Sequence, residues 1–322
     1  MHMTQIKGIH HVSAITANAA KNLHFYTEIL GMRLVKKTVN QDSVSMYHLF
    51  YADERGRPGT DFTFFEIPNA GQTYRGSGSI SRTGLRVASD QAVDYWYKRL
   101  SSYNVNVSQP ETVCGRCQLA FEDFEGQRIQ LISDQTNSGD PGGIPWSESP
   151  VPQEFGITGL GPVRLTVKQA AKTAELLRET LGFVKTGSYE ENGRTVEVFS
   201  CGNGGAGAEI HLEPSPQEQT EKPGRGSVHH VALRVEDEQS LRHWIDVIDK
   251  RGFSHSGFVE RYYFKSLYFR DPNGILFELA TDGPGFETDE SFDELGKNLA
   301  LPPFLEPRRK EIENNLAPLS FS

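Results

Sequence analysis

Two stretches of this chain, far apart in order, carry the same pair of imidazoles. "GIHHVSAI" holds His10 and His11, and "SVHHVALRV" holds His229 and His230. Both runs are apolar and strand-like, and a histidine turned into a core needs a polar partner or a metal. A carboxylate, Glu278, stands in the middle of a third such run, "GILFELAT". His11, His230 and Glu278 together make a set of two histidines and one carboxylate. Three such ligands on one face leave coordination positions open, which suits Fe(II) and its oxygen chemistry, while Mn(II) and Zn(II) accept the same donors. The second histidine of each pair is assigned as the ligand because it shares a column with the inward positions of its strand. The first then faces away or lies beside the site.

These ligands need elements that bring the two ends of the chain together. Four stretches align: "GIHHVSAIT" from Gly8, "SRTGLRVAS" from Ser81, "GLGPVRLTV" from Gly159 and "SVHHVALRV" from Ser227. Each reads as a short strand. Each is followed by an amphipathic helix with apolar residues at three- and four-residue spacing, as in "DQAVDYWYKRLSSYNVNV". Short β-rich runs separated by Gly, Asn or Asp turns come next. The unit is strand, helix, then about three strands, and it occurs four times. The expected fold is α+β: four βαβββ modules forming two curled-sheet barrels. A Pro-, Gly- and Ser-rich segment suggests a linker over 136–156, between an N-terminal half (1–135, modules one and two) and a C-terminal half (157–282, modules three and four). A tail, 283–322, is expected to pack on the body through a short amphipathic helix.

In the column of the two ligand histidines, modules two and three carry Gly84 and Pro162. In the last-strand column Glu66 of module one stands where module four has Glu278, with Gln130 and His211 in modules two and three. If Glu66 also binds, the site becomes two His and two Glu; otherwise Glu66 is an exposed strand-end carboxylate before Pro68. His211, lacking a histidine in its own module's first strand, reads as structural. His24, His48, His243 and His255 are assigned to helices or loops with ordinary packing or surface roles.

The chain has 322 residues, 33 Lys and Arg against 42 Asp and Glu, and a net charge of −9 with no basic block. That excludes a nucleic-acid groove or an anionic membrane surface as the main partner. No apolar run reaches the roughly 20 residues of a membrane span. The start, "MHMTQIKG", shows no apolar leader, and "MHM" has the look of a cloning remnant, so a cytoplasmic protein is expected. Three cysteines are too few for a disulfide framework. Cys114 and Cys117 form one C-x-x-C in an apparent strand hairpin, which reads as two hairpin residues rather than a redox or zinc motif.

With these residues in place, the sequence resembles the vicinal oxygen chelate superfamily of glyoxalases, bleomycin-resistance proteins and extradiol dioxygenases, over nearly the whole chain. Its most similar branch is the hydroquinone-type ring-cleaving dioxygenases, and the likeness is strongest around "RYYFKSLYFRDPNGILFELATDGPGF". The resemblance implies metal ligands from modules one and four, with module one pairing with four and two with three. Pro162 at the module-three position departs from the catechol layout, which draws its ligands from modules three and four. The resemblance maps metal ligands onto His11, His230 and Glu278, catalytic neighbours onto His10, His229, Arg261 and Tyr268, and a Thr or Ser position onto Ser13. It implies an extradiol-type dioxygenase taking a small aromatic substrate and O2, with Fe(II) as the metal, and is compatible with a homodimer. Two other readings stay open: a glyoxalase-type lyase or isomerase, and a non-catalytic binder of small aromatics.

Overall fold

The structure, a computed structural model, describes residues 5–319. The "MHM" start and the last three residues of the tail lie outside the described residues. Module one runs β1 (Ile9–Thr16), α1 (Ala19–His24), β2 (Arg33–Asn40), β3 (Ser43–Ala52) and β4 (Asp61–Glu66). Module two runs β5 (Ser79–Val87), α2 (Asp90–Ser102), β6 (Glu111–Val113), β7 (Arg116–Glu122) and β8 (Arg128–Ser133). Module three runs β9 (Ile157–Val167), α3 (Ala170–Glu175), β10 (Val184–Glu191), β11 (Arg194–Ser200) and β12 (Glu209–Pro214). Module four runs β13 (Val228–Val235), α4 (Glu238–Lys250), β14 (Val259–Glu260), β15 (Lys265–Arg270) and β16 (Leu276–Thr281).

Local chemistry explains the helices. Side-chain oxygens of Asn18, Ser89 and Asp237 accept from backbone N–H groups three residues on and start α1, α2 and α4. On α4 the buried Leu241, Trp244 and Ile248 recur at three and four residues and face the sheet. α1 and α3 each continue into one π-helical turn, Phe25–Ile29 and Leu176–Thr180. Gly31 and Gly182, at φ +67° and +74°, then turn the chain into the next strand.

Within each module the first and last strands pair in parallel, as β1 does with β4 and β13 with β16. The first strands of modules one and four then pair antiparallel, β1 with β13, and those of two and three likewise, β5 with β9. Two eight-stranded sheets result: β14-β15-β16-β13-β1-β4-β3-β2 and β10-β11-β12-β9-β5-β8-β7-β6. Each sheet therefore takes one module from either side of the linker. The linker is tied down: Ile144 N donates to Asp53 (3.1 Å), Glu54 N donates to Ile144 O (2.8 Å), and Trp96 Nε1 donates to Phe155 O (2.8 Å).

Both faces of the central strands are covered, so every residue of β1 is buried, its two histidines included. One face joins the helices in the main core; the other lines the concave side of the sheet. The tail crosses the module-one end of the first sheet, and its α5 (Arg309–Asn315) buries Ile312 beside Val39, Leu301 and Leu305. Cys114 lies in the β6–β7 turn and Cys117 on β7, and both are free thiols. No helix among the described residues is long and apolar enough to cross a membrane.

Candidate metal centre

Three adjacent strands at the middle of the first sheet supply the sequence-predicted ligands: β1 gives His11, β13 His230 and β16 Glu278. Period-two alternation turns all three inward. His11 Nε2 lies 3.1 Å from His230 Nε2 and 3.1 Å from Glu278 Oε2, and His230 Nε2 lies 2.9 Å from that same oxygen. All three side chains are buried, Glu278 completely. Ligand bonds of roughly 2.1 Å at right angles put neighbouring donor atoms about 3.0 Å apart, so this triangle matches one face of an octahedron. Glu278 Oε2 receives no hydrogen bond among the described residues. A buried carboxylate oxygen without a donor, facing two imidazole nitrogens, is costly unless a cation sits between them. The residues fit a divalent ion.

The neighbouring groups settle which atoms face the centre. His10 Nε2 lies 3.0 Å from the Thr281 carbonyl oxygen, which can only accept, so that nitrogen carries the proton. Burial, then the adjacent His11, pushes His10 down to about 3 and keeps it neutral. Its Nδ1 is then an acceptor, 2.9 Å from His11 Nδ1. His11 therefore donates from Nδ1 and turns a bare Nε2 lone pair to the centre. In module four, His229 Nδ1 lies 2.8 Å from His230 Nδ1, and burial followed by His230 lowers His229 to about 4. Ser266 Oγ donates to Glu278 Oε1 at 2.5 Å, leaving Oε2 as the ligand atom.

The His10 shift sets a pH dependence. Unfolded, His10 takes up a proton below its ordinary 6.5; folded, it resists until about 3. The unfolded state binds more protons in that window, so stability falls as pH drops from 6.5 toward 3. Urea midpoints of the metal-free protein should decline across this range, and His10→Gln should flatten the slope. A flat wild-type profile would refute the assignment.

Above the triad opens a cavity of about 400 Å³. On one flank Tyr268, directly opposite Glu278 in the β15–β16 register, receives a hydrogen bond from Arg261 Nε (3.3 Å). Burial and then Glu278 raise the Tyr268 phenol, so it stays a donor. Arg261 also reaches Asp42 at 3.1 Å. Tyr262, the next residue, is held at φ +70°, a strained setting for a bulky side chain. His10, His229, Arg261 and Tyr268 thus all lie around the triad. Ser13 also faces the cavity, with its hydroxyl 2.7 Å from that of Thr63.

Sequence reasoning misplaced three residues. His48, assigned to a helix or loop, lies on β3 and lines the cavity. The alternation Met46, His48, Phe50 within "SMYHLFYA" was the available signal. Glu66 does not join the triad. Ala232 pairs with Glu278, and its counterpart Ser13 pairs with Thr63, so Thr63 holds the module-one column. Glu66 instead accepts from Ala19 N at 2.9 Å, at the start of α1. Nor does Gly84 occupy the ligand column: the β5–β9 register sets Arg82 opposite Arg164, which places Arg82 where His11 stands in β1. Gly84 marks a close strand crossing, where a Cβ would come within 2.6 Å of Pro162 O. Ser266 and Phe264, whose ring lies 5.0 Å from that of His11, carried no sequence signal as supporting residues.

On the corresponding face of the second sheet, ion pairs stand where the triad stands in the first. Arg82 and Arg164 both donate to Glu191, at 3.1 and 2.9 Å. Arg164 also donates to Tyr189 Oη (2.6 Å), which bonds His211 Nδ1 (3.0 Å). His211 is thereby absorbed into a structural network.

Paired βαβββ modules with a ligand triad at the centre of one curled sheet define the glyoxalase/dioxygenase fold. Residues 8–131 and 159–279 match the Glyoxalase/Bleomycin resistance protein/Dioxygenase superfamily, and the chain belongs to that superfamily. It is 52% identical over 316 residues to MhqA of Bacillus subtilis, provisionally named a ring-cleaving dioxygenase, covering 98% of this chain and 99% of the relative. It is 30% identical over 322 residues to a chlorohydroquinone/hydroquinone 1,2-dioxygenase of Sphingobium indicum, covering 96% and 95%. A crystal structure provisionally named a dioxygenase, from Bacillus subtilis, superposes with TM-score 0.90 at 34% identity over 98% of each chain. Glyoxalase I of Zea mays, at 15% identity and TM-score 0.62 over 85% of this chain and 92% of its own, shares the fold.

Proposed function

We propose that this chain is a metal-dependent, extradiol-type ring-cleaving dioxygenase that acts with O2 on a hydroquinone or related phenol. The observation that carries the reading is the convergence of two imidazole nitrogens and one carboxylate oxygen at the floor of an aromatic-walled cavity. His11, His230 and Glu278 hold the ion, Fe(II) by the donor set, with Mn(II) and Zn(II) accepted by the same atoms. Bound there, the ion supplies a Lewis-acidic, redox-capable centre that favours a deprotonated phenol and activates O2.

The protein's own groups do the rest. Phe50, Phe65 and Phe264 line the cavity, admit a flat ring and exclude water. Tyr268 offers a phenolic O–H, and Arg261 a fixed positive charge, to oxygen atoms that gain negative charge. His229, on the open side of its pair, is placed to hand a proton between the cavity and bulk water. Hydroquinone acceptance by the Sphingobium relative supports the substrate class. The lyase reading loses its fourth ligand, since Glu66 is engaged at α1.

The test is anaerobic loading with Fe(II), followed by oxygen uptake with hydroquinone, catechol and the methylglyoxal–glutathione adduct. Oxygen consumed with hydroquinone, and not with the adduct, is expected. Turnover of the adduct without oxygen, or ligand binding with no turnover, would overturn the proposal.

A further inference from the structure

The cavity has a second polar pole, separate from the metal ligands and from Arg261 and Tyr268. It is His48. In the sheet order β15-β16-β13-β1-β4-β3, Tyr268 on β15 and His48 on β3 stand on opposite sides of the triad. The His48 ring packs against Phe50 and Phe65, with centroids at 4.0 and 4.2 Å. Phe65 in turn lies 6.4 Å from the His230 ring, so one aromatic ring separates His48 from the ligand. His48 Nε2 is 3.0 Å from Thr63 Oγ1, and Thr63 is braced by Ser13 at 2.7 Å. Nδ1 makes no hydrogen bond among the described residues, and the side chain lines the cavity. Burial, then His11 and His230, holds His48 well below its ordinary value. It is therefore a neutral imidazole with one nitrogen fixed by Thr63 and the other turned to the substrate space.

We propose that His48 recognises the hydroxyl of the aromatic substrate that lies across the ring from the metal-side oxygen, and so selects a 1,4-dihydroxy ring over a 1,2-dihydroxy one. This rests on the ring-cleavage reading. The chemistry follows from placement. A ring held over the triad by one oxygen extends its para substituent toward the flank, whereas an ortho hydroxyl stays beside the metal and leaves His48 unmatched. A site built to hydrogen-bond a hydroxyl discriminates against the analogue that lacks it, because a buried polar group is then left unpaired.

The test is anaerobic titration of Fe(II)-loaded protein with hydroquinone, phenol and catechol, followed by calorimetry. Wild type should bind hydroquinone about tenfold more tightly than phenol. His48→Phe should abolish that preference while leaving phenol and catechol affinity and metal content unchanged, and His48→Gln should restore part of it. Thr63→Val, which frees the imidazole to turn, should reduce the preference. Retention of the full hydroquinone preference in His48→Phe would overturn the role of His48 and leave the ring-cleavage reading intact. A wild type that binds hydroquinone no better than phenol would overturn the role of His48, and oxygen uptake with catechol but not with hydroquinone would overturn the hydroquinone assignment on which it rests.

Discussion

Replacing His230 with Ala should release the divalent ion that the proposed function places there: after dialysis the protein should keep about a tenth or less of the wild-type metal. The rise in melting temperature on metal addition should vanish with it. A ligand that binds only the native state stabilises it by about 4 kcal/mol at a thousand times its Kd, and in a chain of this size that is on the order of 5–10 °C. His11→Ala should behave identically, although the two residues lie 219 positions apart. Glu278→Gln should do the same, since it keeps the volume and replaces a charged ligand oxygen with a neutral amide. The metal-dependent shift, not the absolute melting temperature, is the informative quantity, because each substitution also changes core packing. Glu66→Gln is the control and should retain both metal and shift, since its carboxylate is engaged at the start of α1. Metal retained by either single histidine variant would show that the ion is not shared between modules one and four.

The second large effect is expected at Lys36. Its side chain is fully buried under the tail, and its ammonium donates to Phe286 O (3.1 Å), Asp289 Oδ1 (2.7 Å) and Glu290. Asp289 also accepts from Tyr263 Oη (2.8 Å), and the Lys36 ammonium sits 4.8 Å from the Tyr263 ring centroid. Lys36→Met leaves two carboxylates facing each other in a largely buried setting. Breaking a buried pair on one side costs about 3–5 kcal/mol, a large share of the roughly 5–15 kcal/mol that holds a domain folded. Urea midpoints should fall accordingly. Adding Asp289→Asn and Glu290→Gln should recover much of the loss, because no uncompensated charge then remains. Tyr263 lines the cavity, so KM should rise in the single variant more than in the triple. An unchanged midpoint in Lys36→Met would mean that the tail contributes no stability through this contact.

The identity of the triad was readable from residue types and strand periodicity. Two copies of one dipeptide in matching strands, with an acid in a third, sufficed to nominate His11, His230 and Glu278. Gln130, His211 and Pro162 kept their expected columns, and the errors fell at Glu66 and Gly84. Glu66 looked equivalent to Glu278 until the parallel register of β1 with β4 put Thr63 opposite Ser13. Gly84 looked like a vacated ligand position until the antiparallel register of β5 with β9 put Arg82 there. β1 carries register shifts on both sides of its ligand, which linear spacing does not reveal. His48 was passed over because its place on the cavity wall, beside Thr63 on the adjacent strand β4, comes from strand pairing.

The sequence by itself determined the repeating βαβββ unit, the ligand chemistry and the face of each strand on which a ligand points, because these depend on side-chain type and a two-residue period. Only the tertiary structure decided that Nε2 of each ligand histidine faces the centre, that Oε2 alone of Glu278 is free, and that a concave aromatic cavity closes over them. Those outcomes depend on hydrogen bonds and packing between strands remote in the chain: Thr281 on His10, Ser266 on Glu278, Phe264 on His11. Such contacts exist only once the sheet has curled, because sheet curvature and register brought residues of modules one and four within bonding distance.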